Sequence, residues 1–111
     1  MYPDQQTPIE QLMNLGPASG RWLHPAGIRT LGDLQNVPLG VLYEQVKRRV
    51  PRCNSMFLYA VQGALMNLHA NALPQEIKRQ LRFGARVVNQ KLKREKSELK
   101  QRMAASGLAE E

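Results

Sequence analysis

The sequence predicts an all-α fold. Helix-start signals recur along the whole chain, at Thr7-Pro8-Ile9-Glu10, Gly16-Pro17, Thr30-Leu31-Gly32-Asp33, Pro38, Asn54-Ser55 and Pro74. No segment alternates apolar and polar residues between turn signals, so strands are not expected. The stretches between the helix starts are short, as in a compact helical domain.

The first element is predicted from a capping box. Thr7 is placed to cap, Pro8 to take the first helical position and Glu10 the third. Ile9, Leu12 and Met13 then share one face, and the helix is expected to end near Asn14. A second helix begins at Pro17, capped by Gly16, and carries Trp22 and Leu23. Pro25 disfavours helix at His24, and Gly27 supplies a left-handed turn. Thr30 and Asp33 form another Thr-x-x-acid start, for a short helix ending near Asn36. Pro38 opens a fourth helix with Leu39, Leu42, Tyr43 and Val46 on one side, and Pro51 ends it. Asn54 or Ser55 caps a fifth, MFLYAVQGALMNL. Its apolar character almost all round marks it as the central buried helix. Gly63 within it predicts close approach by another helix, and Trp22 with the helix over 56–68 is expected to form the core.

Pro74 opens the last and longest helix. Ile77, Leu81, Val88, Leu92, Leu99 and Met103 form one narrow apolar stripe, because eleven steps of about 100° return nearly to the start. Lys78, Arg79, Arg82, Arg86, Lys93, Lys96 and Lys100 cluster on the flank and back. A helix from Pro74 to Ala105 spans roughly 45 to 50 Å, longer than a domain of this size is wide. The expected organisation is therefore a tail over 1–6, a helical domain over 7–90, and a protruding helix extension and tail over 91–111.

The chain has 111 residues, enough for one domain with a modest core. Its 16 Lys and Arg against 9 Asp and Glu give a net charge of +7, which draws a small protein to polyanions such as nucleic acid. The longest apolar run, MFLYAV, is far too short to cross a membrane. The first residues show neither the basic nor the apolar region of a signal peptide. The single cysteine, Cys53, excludes an internal disulfide. Together these predict a cytoplasmic protein with no membrane partner. Cys53 reads as an ordinary residue near a helix start, although Arg52 beside it would favour the thiolate.

His69 and His24 lie far apart, and no metal-binding spacing accompanies them, so no metal is expected. His69 reads as a capping or hydrogen-bonding residue at a helix end. No nucleophile, base or acid is paired at a recognisable spacing, so neither a catalytic residue nor a cofactor is predicted and the chain is not expected to be an enzyme.

The stretch MNLGPASGRWL, followed by AGIRTLGDL, resembles a helix-hairpin-helix. Such hairpins bring backbone N–H groups at the start of the second helix against a DNA phosphate. Here those groups belong to Gly16, Ala18 and Ser19, with Arg21 the nearest cation. The turn departs from the usual pattern in two places. Asn14 stands at the first glycine position, and Ala18 stands where a basic residue is common. Asn tolerates the left-handed conformation better than most residues. Phosphate contact and a purely packed hairpin both remain open.

The resemblance extends over roughly residues 9 to 82. The Asn14-Leu15-Gly16-Pro17 hairpin, the AGI-x-T-x-x-DL continuation, and Gly63, Ala64, Leu65, His69, Leu73 and Pro74 in order make the chain similar to the C-terminal domain of the TfoX/Sxy family. The resemblance implies a small all-α domain with a helix-hairpin-helix-like N-terminal half, here followed by the long basic C-terminal helix. Two-domain members carry an α/β domain before it and regulate DNA-uptake competence, acting with a transcription activator at promoters. This chain is expected to be a stand-alone form.

These readings predict a non-enzymatic, DNA-associated regulatory or accessory protein. It would touch phosphates through the hairpin (Gly16, Ala18, Ser19, Arg21) and through the basic helix (Lys78, Arg79, Arg82, Arg86, Lys93, Lys96, Lys100). Its expected partners are duplex DNA and a protein such as a transcription activator. The alternative is a protein-interaction adaptor whose hairpin only packs. For the protruding half-helix three readings stay open: a solvated tail, a contact through Leu92, Leu99 and Met103 with a second copy or a partner helix, and nucleic-acid binding. The chain is accordingly a monomer or a homodimer.

Overall fold

Five α-helices run through residues 2–105, the part of the chain that the computed structural model describes: α1 Pro17–Leu23, α2 Leu31–Gln35, α3 Leu39–Arg49, α4 Ser55–Met66 and α5 Gln75–Ala105. Single 3-10 turns sit at Ile9–Gln11, His24–Ala26 and Ala70–Ala72. No strand is present among the described residues. The one β-like feature is an isolated antiparallel bridge between Pro8 and Thr30.

That bridge corrects the expected first helix. The Thr7 carbonyl accepts from Leu31 N at 2.9 Å, Ile9 N donates to the Arg29 carbonyl at 3.0 Å, and the Gln5 carbonyl accepts from Gly32 N at 2.9 Å. Pairing with residues 29–32 ties down this segment, with a turn at Gln5-Gln6 and Pro8 extended, so only one 3-10 turn follows. The Thr7 hydroxyl accepts from Asp4 N at 3.0 Å instead of capping a helix. Glu10 is left free to meet His24, with Oε2 2.9 Å from Nε2. The segment before Thr7 is thus attached from Asp4 onward.

The second capping box forms as its sequence predicts. The Thr30 hydroxyl accepts from Asp33 N, and the Asp33 carboxylate accepts from the N–H groups of Thr30 and Arg29. Those backbone donors, above all the Arg29 N–H, hold the Asp33 carboxyl below its ordinary value. Gly27, at φ 84°, makes the left-handed turn that separates α1 from α2.

The core is built from Ile9, Leu12, Leu23, Leu31, Leu34, Leu42, Tyr43, Val46, Phe57, Leu58 and Val61, with Ala85 and Val88 contributed by α5. α4 supplies most of its own surface to this core, as its composition predicts. Trp22 does not belong to it. The indole is only partly buried, packed 5.7 Å from the Phe57 ring at the edge of the core. α1 is two turns long, and its inward line is taken by Gly20 and Leu23.

α5 rests on α3 and α4. Tyr43 Oη donates to Asn89 Oδ1 at 3.0 Å, and burial raises the phenol above its ordinary value. Lys91 pairs with Glu44, and Arg48 pairs with both Glu44 and Glu95. Contact with α3 therefore continues past Asn89 to Glu95. Beyond that point the apolar stripe is open, with Leu99 51% exposed. The molecule measures 60 × 28 × 20 Å, the long dimension following from α5.

Candidate nucleic-acid interface

The hairpin turn is fixed by Asn14. Its φ of 73° is left-handed, and its side chain reaches across to the end of α4. Nδ2 donates to the Leu68 carbonyl at 2.8 Å and to the Ala60 carbonyl at 3.4 Å, and Oδ1 accepts from Ala70 N at 3.1 Å. A side chain at position 63 would collide with the Asn14 amide and with the Leu68 carbonyl. Gly63 thus admits a side chain and a loop, rather than the second helix that the sequence suggests. The clasp holds the start of α1 in place against the core.

At that start, Gly16 is the N-cap in extended conformation and Pro17 is the first helical residue. The first intrahelical bond runs from Gly20 N to the Gly16 carbonyl at 3.0 Å. Helix geometry therefore leaves the N–H groups of Ala18 and Ser19 without intrahelical acceptors. Ala18 and Ser19 line one side of a cleft of about 300 Å³, with Trp22, Met56, Phe57 and Ala60 as its floor and Arg52 and Asn54 opposite. The Arg52 guanidinium lies 5.4 Å from the Trp22 ring centroid. Arg21 is exposed on α1 and is not among the residues that line this cleft.

Asn54 also borders a second, shallower groove, of about 280 Å³, shared with Ser55, Arg82, Ala85, Arg86 and Asn89. A third, of about 510 Å³, lies further along α5 between Lys47, Arg48, Pro51, Leu92, Lys93 and Lys96. One edge of the molecule thus runs from the hairpin, through Arg52 and Asn54, onto α5.

On α5 the spacing of the cations decides what they form. At about 100° per residue, Lys78, Arg82, Arg86, Lys93, Lys96 and Lys100 fall within about 40° of a single line along the helix. Glu76, Glu95 and Glu98 lie at least about 120° from it. The ion pairs follow this sorting. Glu44 and Glu95 engage Lys91 and Arg48, and Glu76 engages Arg79 at 2.5 Å. Arg86, Lys93, Lys96 and Lys100 are exposed and belong to none of the ion pairs of the described residues.

The predicted basic residues therefore divide. Arg79 is held by its own acid. Lys78 sits 6.0 Å over the Tyr59 ring, and Arg82 donates to Tyr59 Oη at 3.0 Å, so both also pack onto α4. The remaining four project as a free row. Arg52 and Asn54 join the edge without having been singled out. They stand in a loop after Pro51, off any helical period, where sequence spacing carries no signal.

One other predicted role changes. His69 is exposed, and it precedes the Ala70–Ala72 turn with no side-chain cap; only its carbonyl is used, accepting from Ala72 N. Cys53 is buried, and burial pushes its thiol up to about 11, outweighing the Lys47 charge nearby. The Lys47 ammonium is spent on the carbonyls of Pro51 and Cys53, at 2.7 and 2.5 Å. Among the described residues, no group of three or more His, Cys, Asp or Glu side chains is placed to hold a metal ion, and no helix is long and apolar enough to cross a membrane.

The sequence profile of the TfoX C-terminal domain matches residues 5–85. No curated protein matches the chain. Among solved structures, the crystal structure of an uncharacterized protein from Listeria monocytogenes, in a triclinic form, is similar to it. That likeness has a TM-score of 0.70 at 22% identity and covers 75% of this chain and 94% of the other. It shows a shared fold.

Proposed function

The chain belongs to the TfoX C-terminal domain family, and on that premise we propose that it is a DNA-associated accessory protein that holds the duplex by its phosphates. The family suggests a competence-related regulatory role and is not one of known enzymes. The observation that carries the reading is the acid-free row of cations on α5, Arg86, Lys93, Lys96 and Lys100, continued toward α4 by Lys78 and Arg82. From Arg82 to Lys100 this row is about 27 Å long. A straight row of ammonium and guanidinium groups suits a phosphate backbone, where charge is repeated at short intervals.

Gly16, Ala18 and Ser19 stand across the Asn54 edge from this row. Their N–H groups add weaker, sequence-independent contacts, and Arg21 adds charge beside them. The row lacks the Asn, Gln and Arg cluster that reads base edges in a major groove. Binding is therefore tolerant of sequence and carried by charge.

The test is fluorescence anisotropy with labelled duplexes of about 20 base pairs in two unrelated sequences. Both duplexes are expected to bind alike. Arg86→Glu with Lys93→Glu should abolish binding to both, whereas Arg94→Glu with Arg102→Glu, on the far side of α5, should change it little. Equal loss from the two pairs would mean that net charge alone is acting.

A further inference from the structure

The cationic row leaves one feature unexplained: the apolar cleft between α1 and α4. Phosphates have no use for its floor. Trp22 is partly buried there, and Met56 is 62% exposed at the start of α4, next to the buried Phe57. A flexible methionine beside an aromatic pair is a surface that adapts to an incoming apolar side chain. The volume of about 300 Å³ accommodates one such side chain.

The rim selects by charge. Arg52 is exposed and in no ion pair of the described residues. No Asp or Glu among the described residues lines the cleft. Its one side-chain carbonyl, Asn54 Oδ1, is engaged by Met56 N at 2.9 Å. An apolar floor beside an unpaired cation fits an apolar residue carried next to a carboxylate. It does not fit a stacked nucleobase, because the indole face is already occupied by Arg52 and its flank by Phe57.

We infer that this cleft is a protein-docking site, which takes one large apolar side chain from an acidic segment of a partner protein. A carboxylate beside that side chain meets Arg52. The site is distinct from the α5 row that holds phosphates.

Trp22 is the only tryptophan and lies in the cleft, so its emission reports occupancy directly. The probes are a synthetic Glu-rich peptide with one central Leu, the same peptide with Leu replaced by Ser, the same with Lys for every Glu, and a short oligothymidylate. The acidic Leu peptide should shift the emission saturably, in the micromolar to low-millimolar range. The Ser and Lys peptides should bind at least about tenfold more weakly, and Arg52→Glu in the full chain should weaken the Leu peptide by a similar factor. Arg86→Glu with Lys93→Glu should leave it unchanged, which separates this site from DNA binding. The inference is overturned by no saturable shift with the acidic Leu peptide, by an equal shift with the Lys peptide, or by a saturable shift with oligothymidylate alone.

Discussion

Asn14 ties the hairpin to the end of α4. It accepts a left-handed φ and makes three hydrogen bonds to the loop after α4 and to α4 itself. Asn14→Ala removes all three and keeps an unfavourable φ, so it should destabilise by about 2 to 4 kcal/mol in chemical denaturation. Asn14→Gly relieves the φ and should lose about 1 kcal/mol less. Gly63→Ala should destabilise despite the better helix propensity of Ala, because its methyl enters the space of the Asn14 amide. The sequence indicates that Asn14 can make the turn, since Asn is tolerant of that conformation. Its side-chain partners could not be read, because they lie more than forty residues away and no local spacing encodes them. Cys53 gives a pH prediction. Its thiol titrates at about 11 in the folded chain against an ordinary value of 9.0, so the folded state holds the proton longer. Stability from this group is full below about pH 9 and is lost as pH rises from there through about 11. Cys53→Ala should flatten that alkaline fall in a series of melting curves.

At the scale of elements, two Thr-x-x-acid boxes of equal promise had different fates. Thr30 and Asp33 cap α2 because the pairing uses the Arg29 carbonyl and the Leu31 N–H and leaves the N–H groups of Thr30 and Asp33 to the box. Thr7 and Glu10 do not, because the carbonyl of Thr7 and the N–H of Ile9 are taken by residues 29–31. Helix periods and caps placed α1 to α5 nearly to the residue, while this long-range pairing lay outside any local pattern. The same limit applies to Trp22: a large aromatic after the hairpin suggests a core anchor, yet two turns of helix turn it toward a cleft. Trp22→Ala should therefore cost about 1 to 2 kcal/mol, less than truncating a fully buried aromatic. α5 makes a further prediction. Truncation after Lys96 keeps the contacts of Lys91, Leu92 and Glu95 and should leave the denaturation midpoint unchanged. Truncation after Asn89 removes the pairs to Glu44 and Arg48 and should lower the midpoint while unfolding stays cooperative.

Across the whole molecule the charges are sorted. The carboxylates of Glu10, Glu44, Glu76 and Glu95 are occupied with His24, Lys91, Arg48 and Arg79, and one line of α5 is left purely cationic. Composition alone gives the net charge of +7, and helical spacing gives the row; which cations are already engaged depends on tertiary partners. Asp33 and Glu44 contribute to stability against acid. Both carboxyls lie below their ordinary values, Asp33 through backbone donors and Glu44 through Arg48 and Lys91. Their stabilisation is present above about pH 4 and is lost as pH falls through their lowered folded values. The central claim is that the free row on α5 holds phosphates, and the most direct measurement is the dependence of duplex affinity on salt. For the intact chain, log affinity should fall linearly with log salt, with a slope of about −4 for some four or five phosphates neutralised. With Lys93→Glu, Lys96→Glu and Lys100→Glu together, the slope should shrink by about 3 and the affinity nearly vanish. An unchanged slope in that variant, or no affinity of the intact chain for any duplex at low salt, would contradict the account.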